Sequence, residues 1–391
     1  MEKNTKRALF QVRNFERTIQ EYLFKEPFAR FLTQFYKNNK QMGSSDRRMN
    51  TRYCYNYFRL GGAFSDLSAT ERLAIAEFLC ETESAVVEAF RPEWTTMLEH
   101  PVDEKVAIVE ELDPDFLQRV FPWTAQLSEA IDTRAFLISH FVQPDLFIRL
   151  RRGKEKQVMD ALTKADVAFT VLGPQTLALP NGSKLQQVRG IDGLYEVQDL
   201  SSQQSLNLAT ILAKQSWWDC CAASGGKSLL LLDQEPDIKL MVSDIRMSIL
   251  RNLDERFAAA GVRTYYRKKI VDLSDSVQHI MEKESFDAIL LDAPCSGSGT
   301  WGRSPDMLSK FTTAEIDRFA DLQKKIVRNA VPYLKDNGQL LYITCSVFAA
   351  ENEEVVAFIE KELGLTLQAK ENILGYGNKA DSMFAAVFRK A

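Results

Sequence analysis

The chain has 391 residues, 45% of them hydrophobic and 26% charged, with 49 Lys and Arg against 53 Asp and Glu for a formal charge of −4. These values describe a globular, soluble protein of two or three domains and do not by themselves advertise a nucleic-acid partner. No apolar run approaches the ~20 residues of a membrane span, Met1-Glu-Lys-Asn-Thr-Lys-Arg7 has no signal-peptide core, and six cysteines without a CxxC pair make neither a disulfide framework nor a zinc site. The cytoplasm is the expected location, with no membrane partner and no metal.

Residues 1–125 are predicted to form an N-terminal helical domain. Phe15, Ile19, Tyr22 and Leu23 fall at helical spacing, as do Phe28, Phe31, Leu32 and Phe35. Ser68-Ala-Thr-Glu71 ahead of Leu73 is a capping box. Charge is segregated here: residues 1–60 hold 13 basic against 5 acidic side chains, and residues 61–140 hold 5 against 16. A basic face that follows a phosphate backbone and an internal partnership of the two segments both fit that pattern. Lys37, Lys40, Arg47 and Arg48 around Gly43 suggest a basic loop between helices.

Residues 126–205 change texture to a small α+β domain. Phe147-Ile-Arg-Leu-Arg151 alternates as a strand, a helix candidate runs from Glu155 to Ala165, and 168–172 and 177–179 are short strands around the Pro180-Asn-Gly182 turn. Arg149, Arg151, Arg152 and Lys154 would give this domain a basic edge, a second RNA contact. A helix is then expected from about Gln204 to Lys214.

Residues 206–391 alternate strand and helix as a parallel sheet with crossover helices does. Strands are expected at 216–221, 239–244, 264–270, 286–292 and 339–345, with helices at 229–232, to Ala260, at 314–334 and at 351–363. Residues 366–369 and 383–388 form a closing antiparallel pair. A strand, the Gly225-Gly226 turn, a helix and an acid, Asp244, at the end of the next strand are the parts with which such a sheet holds an adenosine: glycines let backbone approach the ligand, and the acid accepts the ribose hydroxyls. Position 221 is Cys, so the turn is not a Walker loop, and GxGxxG is absent. A site also lined by Asp272 and Asp292 suits the sulfonium S-adenosylmethionine better than a pyrophosphate.

Two further strands end on thiols. Phe286-Asp-Ala-Ile-Leu-Leu-Asp292-Ala-Pro-Cys295 and Gln339-Leu-Leu-Tyr-Ile-Thr-Cys345 would bring Asp292, Cys295 and Cys345 to one rim of the sheet. Either thiol could be a nucleophile, and the residue types alone do not choose between them. Cys54, Cys80 and Cys220 read as small buried hydrophobes. His100, His140 and His279 fit no motif. Trp301, after the Pro-Cys loop, is placed to stack on a base or to pack under the loop.

Asp219-x-Cys221-Ala-Ala-Ser-Gly-Gly-Lys227-Ser, Asp244-Ile-Arg, Asp292-Ala-Pro-Cys295-Ser-Gly-x-Gly-Thr, Arg303-x-Pro-Asp306 and Thr344-Cys345-Ser-x5-Asn352-Glu together resemble the RNA (cytosine-5) methyltransferases of the Sun/RsmB type. The likeness covers about 130–391; residues 1–125 are only loosely similar to that family's NusB-like domain. Ser224 stands where the family usually has Pro. The resemblance implies a class I, Rossmann-like α/β methyltransferase whose Cys221, Ala222, Ala223, Ser224, Gly225, Gly226, Lys227, Asp244, Asp272 and Asp292 bind S-adenosylmethionine. It assigns nucleophilic attack to Cys345, product release to Cys295, and support of the base to Asp292 and Lys227. The expected partner is RNA, ribosomal before transfer RNA, and the expected state a monomer. A non-catalytic RNA-binding ribosome assembly factor is the alternative.

Overall fold

In the computed structural model, which describes residues 2–391 and side chains from Arg7 onward, chain contacts cluster into two units. One takes residues up to 125 together with 132–143 and 300–312; the other takes 126–131, 144–299 and 313–391.

The first unit is helical. Glu2–Glu21, Phe28–Asn38, Ser44–Phe58 and Ala69–Cys80 are its longer helices, and the periodic aromatics Phe15, Tyr22, Phe28, Tyr53 and Phe58 form their common core. The capping box forms: Ser68 Oγ accepts the Glu71 amide and the Glu71 carboxylate accepts the Ser68 amide, an arrangement worth about 1 kcal/mol. One expectation changes and two open alternatives are narrowed. Arg47 and Arg48 lie in the first turns of Ser44–Phe58 and not in a loop; Arg47 donates to the Met42 carbonyl and covers the Tyr36 ring. The two charge segments are partly one another's counter-charges, since Arg52 pairs with Glu77 and Glu81, while Lys37, Lys40 and Arg48 are exposed. Trp301 is buried against Trp123 and Phe311, with ring centroids 5.7 and 4.8 Å away, so packing and not base stacking is its role.

The second unit holds two sheets. Strands β1 (Leu146–Leu150), β2 (Thr170–Gly173), β3 (Thr176–Leu179) and β4 (Tyr195–Val197) form an antiparallel sheet in the order β2-β3-β1-β4. Half of the expected basic edge is tied down, while Arg152 and Lys154 stay exposed. Arg149 and Arg151 both pair with Asp233, and Arg151 also with Glu196, so these charges are neutralised internally.

The larger sheet contains β5 (Ser216–Asp219), β6 (Lys239–Asp244), β7 (Tyr266–Ile270), β8 (Phe286–Asp292), β9 (Leu334–Thr344), β10 (Thr366–Ile373) and β11 (Met383–Arg389). Its order is β10-β11-β9-β8-β5-β6-β7, parallel from β9 through β7 and antiparallel at β11 and β10. The central strands β5 and β8 and the second half of β9 are apolar because both faces are covered there, whereas the edge strands β7 and β10 are polar and largely exposed. Side chains divide between the faces with period two. Trp218, Ile289, Leu291, Leu340, Tyr342 and Phe384 meet the helices Thr313–Ala330 and Glu353–Leu363 on one side. Trp217, Leu290, Leu341 and Ile343 meet Gly226–Gln234 and Met247–Ala259 on the other. This is the expected Rossmann-like α/β architecture. From β5 the chain first builds outward through β6 and β7, then returns to the other side of β5 with β8. That reversal is the switch point where open α/β sheets carry their ligands.

The helix expected to reach Lys214 is absent. Leu200–Gln204 is a single short helix, Thr210 exchanges backbone hydrogen bonds with the Gln339 side chain of β9, and Lys214 is left-handed at φ 67°.

Candidate active site

At the C-terminal ends of β5, β6 and β8 lies a cleft of about 550 Å³ whose lining includes Cys221, Ala223, Asp244, Asp272, Asp292, Cys295 and Cys345. Its first half is the turn after β5. Ala222 donates its amide to the Ser243 carbonyl at 2.9 Å and Gly225 donates to Ala222 at 2.8 Å, which folds the chain tightly before the helix Gly226–Gln234. Gly225 is left-handed at φ 80°, and a Cβ there would sit 2.7 Å from Leu253 Cγ, so conformation and packing both require glycine. Asp244, at the end of β6, accepts from the Ala223 amide on one oxygen and from the Arg246 amide and guanidinium on the other. A carboxylate has about four acceptor sites, so three occupied contacts orient it and leave capacity for a diol. Asp272 reaches the same cleft after β7, where its carboxylate accepts from the Ser274 amide and hydroxyl. Ser224 accepts from Arg256 at 3.4 Å, and Arg256 is in turn held by Glu196. At this position the side chain is anchored by a hydrogen bond.

The second half of the cleft is where the two thiol strands end. Lys227, from the first turn of Gly226–Gln234, donates Nζ to Asp292 Oδ2 at 2.6 Å. Burial pulls the Lys227 ammonium towards neutrality, but the adjacent Asp292 charge and hydrogen bond outweigh it, so its pKa is raised and it stays charged. Cys295 Sγ and Cys345 Sγ are 3.2 Å apart. The Cys295 thiol is pushed well above its ordinary pKa by the Cys345 contact, by burial and by the nearby Glu351. Beneath them Asp219, fully buried at the end of β5, accepts from Ser228 at 2.5 Å, and burial lifts its pKa to about 7.

Of the residues named from the sequence, Cys221, Ala223, Asp244, Asp272, Asp292, Cys295 and Cys345 line this cleft, while Ala222, Ser224, Gly225, Gly226 and Lys227 lie in the turn after β5 and the first turn of the helix that follows. Several neighbours escaped that reading. Ser296 Oγ and Ser346 Oγ, each one residue beyond a site cysteine, are 3.2 Å apart, and Glu351 accepts from the Ser296 amide, the Ser346 hydroxyl and the Gln323 amide at 2.7–2.9 Å. The repeated Cys-Ser step was the available signal for the serines. Gln323 sits in mid-helix with no local mark.

Residues 208–386 match the family described as 16S rRNA methyltransferase RsmB/F. The ribosomal RNA small subunit methyltransferase B of Xylella fastidiosa (strain 9a5c) is 33% identical over 220 residues, 55% of this chain and 52% of that protein; the chain spans about half the length of the curated relatives it matches. The crystal structure of PH0851 superposes with a TM-score of 0.72 at 18% identity, covering 99% of this chain and 98% of that one. NSun6 from Pyrococcus horikoshii, solved with SFG, gives a TM-score of 0.58 at 16% identity over 69% of this chain and 97% of its own. At these identities the two structures speak for the fold.

Proposed function

Because the chain belongs, through residues 208–386, to the Sun/RsmB (RsmB/F) methyltransferase family, we propose that it transfers a methyl group from S-adenosylmethionine to carbon 5 of a cytosine in ribosomal RNA, through a covalent bond from Cys345 to the base. The observation that carries this reading is the meeting, on one rim, of two thiols 3.2 Å apart with a Lys227–Asp292 pair and an acid-tipped glycine turn. Methylation at an exocyclic amine needs no thiol, and a bare RNA-binding factor needs none of these groups.

The cleft fits the cofactor. Gly225 and Gly226 allow close backbone approach, Asp244 retains acceptor capacity for a ribose diol, and Asp272 and Asp292 suit a ligand with a positive centre. When bound, S-adenosylmethionine supplies an electrophilic methyl group to carbon 5. This chain's residues make carbon 5 able to take it. Cys345 as thiolate adds to carbon 6, which turns the ring into an enamine-like nucleophile. Asp292 accepts from the exocyclic amine and so fixes the base, while Lys227, held by Asp292, balances the charge that develops beside it. Cys295, which keeps its proton, donates towards Cys345; in the release step water takes the carbon-5 proton, the double bond between carbons 5 and 6 re-forms, and Cys345 leaves as a thiolate that the Cys295 proton stabilises. The base has to leave its stack to reach the rim, so a loop or single strand is the target.

The test is methyl incorporation from labelled S-adenosylmethionine into RNA of a host lacking this gene, with the position read by bisulfite sequencing. Cys345→Ala abolishes incorporation, and Cys295→Ala accumulates an RNA–protein adduct that survives a denaturing gel. An unchanged rate in Cys345→Ala overturns the assignment of the nucleophile. Label in transfer RNA alone overturns the ribosomal substrate.

A further inference from the structure

Behind the two thiols lies a buried polar cluster whose central residue none of the motifs above names. Its centre is Glu351, fully buried just before the helix Glu353–Leu363. One carboxylate oxygen accepts from the Ser296 amide at 2.8 Å and from Gln323 Nε2 at 2.9 Å; the other accepts from Ser346 Oγ at 2.7 Å. Gln323 also donates to the Pro294 carbonyl at 3.0 Å. The residues before and after Cys295, and the residue after Cys345, are thus tied to one side chain or its immediate partner. A second tie runs through backbone: Gly299 donates its amide to the Cys345 carbonyl at 2.9 Å, and a Cβ on Gly299 would meet the Ser382 carbonyl at 2.0 Å. Each donor facing the carboxylate is satisfied by it. Gln323 Oε1 is the one cluster oxygen without a partner; a buried network whose donors are all paired is rigid and costly to loosen.

We propose that Glu351 is a positioning residue that brackets the Pro-Cys and Thr-Cys loops and holds Cys295 and Cys345 in sulfur-to-sulfur contact. It touches no reacting atom; it acts through Ser296, Ser346 and Gln323. Its negative charge does a second job. Of the titratable groups around the pair, Cys345 and Glu351 both disfavour a thiolate at Cys295. Tyr342 is buried on the same side, with its hydroxyl donated to the Glu351 carbonyl, and Arg318 senses the Glu351 charge from the neighbouring helix. Lys227 faces Cys345. The bracket therefore sets a negative charge beside Cys295 as well as holding its sulfur against Cys345. The part this plays in turnover rests on the methyl-transfer reading above; the bracket itself does not.

The test is the pH profile of iodoacetamide alkylation of each cysteine in the full-length chain, read by peptide mass spectrometry with no RNA present. Alkylation follows the thiolate fraction. In Glu351→Gln the Cys295 profile moves to lower pH, so that its rate at pH 8 rises about tenfold for a shift of one pH unit. Glu351→Asp, which keeps the charge, stays nearer the wild-type profile. Should Glu351→Gln fail to fold, Ser346→Ala removes one arm, leaves no charge without a partner, and moves the Cys295 profile the same way by loosening the thiol contact. A lowered thermal midpoint with an unmoved Cys295 profile, in whichever of these variants folds, makes the cluster structural filling and overturns the proposal. Because alkylation needs no substrate, a chain that methylates no RNA but shows the shifted profile upholds the bracket and sinks only the functional reading.

Discussion

Lys227 Nζ and Asp292 Oδ2 are 2.6 Å apart, which joins the helix after the glycine turn to the end of β8, the two parts proposed to serve the cofactor and the base. Removing either partner leaves a charge in a partly closed site. Lys227→Met is expected to lower methyl transfer by at least about 100-fold, the scale of losing one preorganised electrostatic group. Its stability loss should be modest, since Asp292 keeps 30% of its side chain exposed and water can take over part of the pairing. Single-turnover kinetics with labelled cofactor, alongside a thermal melt, separate the two effects.

The glycine turn is predicted to tolerate no side chain at position 225. Gly225→Ala meets both a left-handed backbone and the Leu253 side chain, a combined cost on the order of 1–3 kcal/mol. Denaturant titration should show that loss, and calorimetry should show weakened S-adenosylmethionine binding because the turn must shift to admit the methyl.

His140 makes stability acid-sensitive. Its ring is buried beside Phe121 and Phe136 with Nε2 lacking a hydrogen-bond partner, and burial, with Arg59 nearby, lowers its pKa to about 3. The unfolded chain binds this proton near pH 6.5 and the folded chain near 3. Stability from this residue is therefore complete above about pH 6.5 and lost as pH falls from there towards 3. His140→Phe should flatten that part of a melting-temperature profile.

Asp219 has the opposite slope. Its folded pKa of about 7 exceeds the ordinary carboxylate value of 3.8, so between these the unfolded chain releases a proton that the folded chain keeps, and stability falls as pH rises from about 4 to about 7. The melting temperature of Asp219→Asn relative to wild type should accordingly climb across that interval. A flat difference would mean that the carboxyl is already ionised in the fold.

The sulfur contact carries a redox prediction. Hydrogen peroxide should take two electrons and two protons from Cys295 and Cys345, leaving a disulfide and two waters. Methyl transfer should fall in parallel with disulfide formation and return with dithiothreitol. Mass spectrometry of unreduced peptides would show the cross-link.

How much of this was legible follows from how local each cause is. The strands of the larger sheet and their acid or thiol ends could be read because buried parallel strands are apolar runs stopped by small residues, and Lys239–Asp244 and Phe286–Asp292 start and end where expected. The helix expected to reach Lys214 was misread because Thr210 takes its hydrogen bonds from Gln339, 129 residues away. Strand β4 was passed over: three residues with Glu196 at the centre have no apolar pattern, and their partner is β1. Arg149 and Arg151 looked like a binding edge because Asp233, which neutralises them, lies more than 80 residues on. Glu351 was invisible for the same reason: its chemistry depends on Ser296 and Gln323, which only the fold assembles.

The helical unit draws residues 300–312 from deep inside the methyltransferase half of the sequence. No single cut in the backbone can therefore separate the two halves cleanly. A fragment starting near residue 126 would keep Trp301 and Phe311 but lose Phe121 and Trp123, which surround them. Two large aromatic side chains would be left facing water. Any cut at the apparent border would have to rebuild this thirteen-residue excursion as well, so the helical unit is no self-contained stretch of the sequence.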